Sequence, residues 1–141
     1  MNDTHGSAQI LQWGHSALEE EAEALRHVSE LLDESFVRTV EMIYASSGKL
    51  VVSGMGKSGH IARKMAATFS STGTPAVFVN PAEGGHGDLG VVVENDIVIL
   101  ISKSGETREI ALLLPFLKRI GARLISITSD RECTLARAAE V

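Results

Sequence analysis

Val51-Val52-Ser53-Gly54-Met55-Gly56-Lys57-Ser58-Gly59-His60-Ile61-Ala62 runs from an apolar strand pattern through a glycine turn into a helical pattern. Three glycines, Gly54, Gly56 and Gly59, fall within six residues. They let the backbone turn sharply and expose its N–H groups. The next helix adds unpaired amides and the positive end of its dipole, so the stretch reads as an anion cradle that needs no metal.

Toward the C-terminus the pattern alternates. After Ser46-Ser47-Gly48, strands are expected over 49–53, 76–79, 96–102 and 123–128, helices over 58–71 and 106–120, and a helix or turn over 135–139. Ala138-Ala139-Glu140-Val141 reads as the approach to a further strand. The unbroken run Ile97-Val98-Ile99-Leu100-Ile101 suits a strand covered on both faces, which predicts a mostly parallel sheet with helices on each side. In such sheets ligands bind beyond the carboxyl ends of the strands, here the loops after Ser53, Val79, Ser102 and Thr128. Gly73-Thr74-Pro75 is a turn before a strand, and Pro115 either kinks its helix or sits where its missing N–H is tolerated.

Toward the N-terminus the first seven residues read as a loose end, and 9–46 as long helix, in one piece or two. Leu18, Ala22, Leu25, Val28 or Ser29, Leu32, Phe36, Val40 and Ile43 recur at helical spacing and form one apolar stripe. Asp33-Glu34-Ser35 marks a break, with Asp33 or Ser35 capping a second helical piece. Glu19-Glu20-Glu21-Ala22-Glu23 lies mostly off the stripe as a solvated acidic face. Helices of this length in small α/β proteins often pack across a subunit boundary, so a homo-oligomer is expected.

The chain of 141 residues has the size of one domain, 1–141, and no linker or repeat divides it. Its net charge of −5 and 4% aromatic content argue against a nucleic-acid surface, the nearest basic group being Lys57 with Arg63-Lys64. The longest uncharged apolar run, 97–101, is too short to span a bilayer. With no basic-then-apolar leader the cytoplasm is the expected compartment. Cys133 is single and reads as a buried, inert thiol.

Two nucleotide-binding readings of the glycine turn weaken on inspection. A P-loop would need glycine at position 51, where Val51 stands. A dinucleotide site would need an acidic residue at the end of the next strand, where the chain reads Val79-Asn80. No cofactor is therefore expected. Ser102-Lys103-Ser104-Gly105-Glu106-Thr107 puts three hydroxyls and a glycine at a helix start directly beyond a buried strand. Helix capping by Ser104 would account for one hydroxyl. A second phosphate loop beside the first would account for all three, and one monophosphate between two strand ends suits a sugar phosphate.

The two loops, with Ser70-Ser71-Thr72-Gly73-Thr74-Pro75 and His86-Gly87-Asp88-Leu89-Gly90, resemble the sugar isomerase (SIS) domain, and more narrowly the arabinose-5-phosphate isomerases that feed Kdo synthesis for lipopolysaccharide. The resemblance implies a five-stranded three-layer αβα sandwich behind a long N-terminal helical segment, a tetramer, and interconversion of D-arabinose 5-phosphate and D-ribulose 5-phosphate. It implies that Gly56, Ser58, Gly59, Ser102, Ser104, Gly105 and Thr107 hold the phosphate, and that Lys57, His86 and Glu109 line the sugar end. An aldose–ketose isomerisation needs a group to carry a proton between C1 and C2 and a donor for the developing oxyanion. Glu109 suits the first role and Lys57 the second, though Lys57 also suits plain phosphate neutralisation and Glu106 a purely structural place in a first helical turn. No ligand spacing around His60, His86 and Asp88 supports a dedicated zinc site. Nothing in 1–141 matches the family's CBS domains or its later segment with a further glutamate and histidine. A sugar-phosphate-binding module without turnover therefore stands beside the isomerase reading.

Overall fold

A computed structural model describes residues 6–84 and 87–141. The chain divides into two compact units, Met1–Phe36 and Val37–Val141.

In the first unit, helix α1 spans Ser7–Glu30. The expected break comes next. The Asp33 carboxylate accepts the Ser35 N–H at 2.9 Å and its carbonyl accepts the Phe36 N–H at 2.9 Å, so Asp33 starts helix α2, Glu34–Ala45. None of the described residues of α1 is buried, and Leu11, Leu18, Leu25 and Leu32, spaced by one heptad, are all more than half exposed.

In the second unit the order is β1 (Leu50–Gly54), α3 (Gly56–Ser71), β2 (Ala76–Val79), α4 (Pro81–Gly84), a 3-10 turn (Asp88–Val91), β3 (Ile97–Ile101), α5 (Arg108–Ile120), β4 (Arg123–Ile127) and α6 (Thr134–Ala138). The sheet is parallel throughout, in the order β2-β1-β3-β4. Every residue of β1 and β3 is buried, as the unbroken apolar run of β3 predicts. One face packs Val51, Val98, Leu100 and Leu124 against Ile110, Leu113, Leu114 and Leu117 of α5 and Leu135 of α6. The opposite face packs Leu50, Val52, Ile97, Ile99 and Ile125 against Ala62 and Ala66 of α3 and Met42 of α2. That is the expected three-layer αβα arrangement.

Four strands, not five, occur among the described residues. The outer edge of β4 is met instead by the last two residues, with Glu140 N–H donating to Leu124 O at 2.8 Å and Ser126 N–H to Val141 O at 2.8 Å. Two short elements, α4 and the 3-10 turn, have no counterpart in the sequence pattern, because each is only one turn long and carries no periodicity. Pro115 lies on the exposed side of α5, where the missing N–H costs least.

Candidate functional site

β1 and β3 are neighbours, and the chain leaves them in opposite directions across the sheet: β2 lies beyond β1, and β4 beyond β3. This reversal opens a crevice at the carboxyl ends of the two strands. Gly54 pairs with Ile101, so the glycine turn and the serine loop leave the sheet side by side.

Each glycine of the turn has its own reason. Gly56 has φ of +53°, a left-handed conformation that disfavours a side chain. A Cβ on Gly59 would stand 2.6 Å from Gly54 O, and one on Gly54 would stand 2.9 Å from the Ser58 carbonyl. These two glycines let the end of β1 and the first turn of α3 touch. The N-cap of α3 is Met55, which offers no side-chain acceptor, so the first amides of the helix stay available to an anion. Lys57 is exposed and Ser58 half-buried in this first turn, and the helix begins two residues earlier than expected.

The serine loop is more tightly organised than its sequence suggests. Ser102 is buried, its hydroxyl accepts the Gly105 N–H at 3.1 Å, and it bonds the Thr107 hydroxyl at 2.7 Å. Ser104 does not cap the helix: it accepts the Glu106 N–H at 3.2 Å in a local turn, and α5 starts at Arg108 with Thr107 in the N-cap position. Thr107 makes no cap bond because its hydroxyl is turned to Ser102. Gly105 has φ of +68° and is buried, and a Cβ there would overlap the Cys133 sulfur. Cys133 is buried as expected, and its sulfur also accepts the Ala136 N–H at 3.3 Å.

Glu109 is half-buried in the first turn of α5. Neither Lys57 nor Glu109 makes a side-chain hydrogen bond or ion pair among the described residues. His86 lies outside the described residues. Asn80 spends its side chain on α4, accepting the Ala82 N–H at 3.2 Å, which is a capping role. A cleft of about 460 Å³ beside the end of β2 is lined by Arg63, Phe78, Asn80, Glu83 and Val91, with the Arg63 guanidinium 4.0 Å above the Phe78 ring. Among the described residues, none of the expected binding residues lines it.

Two features lie beyond the sequence pattern. Among the described residues, Ser53 Oγ is the buried side-chain oxygen with no hydrogen-bond partner, and it sits one residue before the glycine turn, paired across to Leu100. A hydroxyl breaking an apolar strand at its carboxyl end is the available signal. The second is Glu106, whose carboxylate accepts the Thr134 N–H at 2.6 Å and the Thr134 hydroxyl at 2.8 Å. These two bonds hold its carboxyl below the ordinary value.

An open parallel αβα sheet with a glycine turn and a serine loop side by side at its switch point defines the class as a doubly wound α/β domain. A family model described as the SIS domain matches residues 43–141, and the chain belongs to that family. The arabinose 5-phosphate isomerase KdsD of Salmonella typhi is 52% identical over 130 residues, which cover 92% of this chain and 40% of that protein. The chain thus spans about two fifths of the length of the curated relatives it matches. Among solved structures, a sugar-phosphate isomerase described as putative from Listeria monocytogenes superposes with a TM-score of 0.93 at 39% identity, covering 97% of this chain and 72% of that one. An Escherichia coli CFT073 protein, solved in complex with arabinose 5-phosphate, superposes with a TM-score of 0.92 at 42% identity, covering 97% of this chain and 73% of that one.

Proposed function

We propose that the crevice between the glycine turn and the serine loop binds the phosphate of arabinose 5-phosphate, and that the chain interconverts it with ribulose 5-phosphate. The observation that carries the reading is the adjacency of the two loops across the Gly54 and Ile101 pair, with Ser102 and Thr107 already joined. Kinship to KdsD at 52% identity supports the substrate. The orphaned Ser53 hydroxyl supports a site whose ligand or water supplies the missing partner.

In this reading Gly56, Ser58, Gly59, Ser102, Ser104, Gly105 and Thr107 hold the phosphate. Glu109 takes the C2 proton of the aldose, the electron pair forms the enediolate, and Lys57 with His86 stabilises the oxygen that gains charge. Return of a proton to C1 and transfer of the O2 proton to O1 give the ketose. Residues 1–141 act as one SIS-type domain with its N-terminal helical extension, in the cytoplasm, supplying Kdo synthesis. The exposed leucine stripe of α1 supports a homo-oligomer, a tetramer by family resemblance.

A binding module without turnover is the second reading. It is favoured by the contrast between the joined phosphate hydroxyls and Lys57 and Glu109, which make no side-chain bonds to described residues. A proton NMR time course of arabinose 5-phosphate with the chain in D2O separates the two. Loss of the C2 proton signal with appearance of ribulose 5-phosphate is expected. Binding without exchange by the folded protein would leave the module, and Lys57→Ala with unaltered turnover would remove Lys57 from the chemistry.

A further inference from the structure

The serine loop is fastened almost entirely by one distant segment, the turn between β4 and α6 together with the first turn of α6. Ser102 N–H donates to Ile127 O at 3.0 Å. The Lys103 carbonyl accepts three donors: Ser129 N–H at 3.0 Å, the Ser129 hydroxyl at 2.7 Å and the Thr128 hydroxyl at 3.2 Å. The Gly105 carbonyl accepts the Leu135 N–H at 3.1 Å, and the Gly105 Cα rests on Cys133. The last fastening is the Glu106 carboxylate, which takes both the amide and the hydroxyl of Thr134. Apart from its backbone bonds, Glu106 is the point where a loop side chain reaches out to grip α6, so it can be removed without changing the loop's backbone chemistry.

We propose that Glu106 is a positioning residue for the phosphate cradle, acting through Thr134 to fix the loop in the shape that brings Ser102 and Thr107 together. It does not touch the ligand. The proposal rests on the reading of this loop as a phosphate site, and it deepens that reading by assigning α6 as the mould for the cradle. A loop already held in its binding shape loses less freedom when the anion arrives, which is the source of the gain.

The test titrates the whole chain with inorganic phosphate and with arabinose 5-phosphate, following the amide shifts of Ser102 to Thr107. Glu106→Ala is expected to weaken both probes about tenfold, and Thr134→Ala, which removes the hydroxyl bond and keeps the amide bond, about two- to threefold. The double variant is expected to be no weaker than Glu106→Ala alone, because the two residues act as one unit. Thr134→Ser, which keeps both donors, is expected to restore wild-type affinity, and Glu106→Gln, which keeps the shape, to fall between. If the Thr134→Ala loss is still seen in full on top of Glu106→Ala in the double variant, the two residues do not act as one unit and the positioning role is overturned. Wild-type affinity in both single variants overturns it as well. If the wild-type chain itself binds neither probe, the phosphate reading falls and takes the positioning role with it. That outcome is distinct, since it appears before any variant is made.

Discussion

Asp96 stands just before β3 and Glu106 in the loop after it, yet the two carboxylates are used differently. Asp96 is 1% exposed and gathers Lys49 Nζ at 2.6 Å, Lys49 N–H at 3.0 Å and Val93 N–H at 2.8 Å. It ties the start of β1 to the start of β3 inside the protein, where a charge is tolerated only with such partners. Burial alone would raise its carboxyl, but the Lys49 side-chain bond, the two amides and the Lys49 charge outweigh that and hold it below the ordinary value. Glu106 is exposed and grips one residue, so water screens it and its contribution to global stability is small. The amino end of the sheet is thus built for permanence. The carboxyl end is built from small and hydroxyl residues whose shape, more than their strength, matters for a ligand.

The largest test of that contrast is Asp96→Ala. Removing the carboxylate leaves Lys49 and two amides without their acceptor, and urea unfolding is expected to show a loss of about 3 to 5 kcal/mol. The phosphate affinity of the fraction that remains folded is expected to be unchanged. A loss below about 1 kcal/mol would mean that water reaches this end of the sheet and that the two ends do not differ in kind.

Gly105→Ala carries the argument to the other end. At φ of +68° a side chain is strained, and here it would also push against Cys133. About 2 kcal/mol of stability is expected to be lost, together with phosphate binding, as read by urea unfolding and by titration. An alanine variant that binds phosphate normally would show that the ligand does not depend on the loop's shape.

How much of this is legible in the sequence differs between the same two regions. β3 is legible because it is five apolar residues in a row, and β1 because its apolar residues lead straight into the glycine turn. The glycine turn is legible because three close glycines have few other uses. Asp96 reads only as the first residue of a strand, since the partner that makes it a keystone, Lys49, lies far back in the chain. The serine loop is legible in composition and not in geometry. Local capping rules point to Ser104 as the N-cap, whereas the structure turns Thr107 toward Ser102, because Lys103 and Gly105 are held by residues 128–135. A contact made across that separation leaves no periodic trace in the sequence. For the same reason α5 starts two residues later than its pattern predicts.

Two serines at neighbouring strand ends sharpen the contrast further. Ser102→Ala removes a hydroxyl bonded to both Gly105 and Thr107, and phosphate is expected to bind about tenfold more weakly, close to 1.4 kcal/mol. Ser53→Ala removes a buried hydroxyl that has no partner, so the ligand-free protein is expected to be as stable as wild type or more so, by up to about 1 kcal/mol. A loss of stability in Ser53→Ala would show that water already satisfies this hydroxyl without ligand.

Acid titration separates the two carboxylates directly. Both folded values lie below the ordinary ones, 3.8 for Asp96 and 4.5 for Glu106. A depressed carboxyl contributes stability that is fully present above its unfolded value and is lost as the pH falls through its folded value. Between neutral pH and about 5 neither group is therefore expected to change the protein. Below that, protonation of Glu106 releases Thr134, and Asp130 and Arg137, which face the same carboxyl with opposite sign, partly offset one another. The expected signature is faster exchange of the Thr134 amide without unfolding, abolished in Glu106→Gln. Protonation of Asp96 is expected to be felt as unfolding of the whole sheet, since the amides it holds belong to the start of β1 and the approach to β3. Carbon NMR titration of the two carboxyls alongside circular dichroism would read both. Coincidence of Thr134 release with global unfolding would erase the distinction, because the loop would then be as much a part of the permanent core as the far end of the sheet.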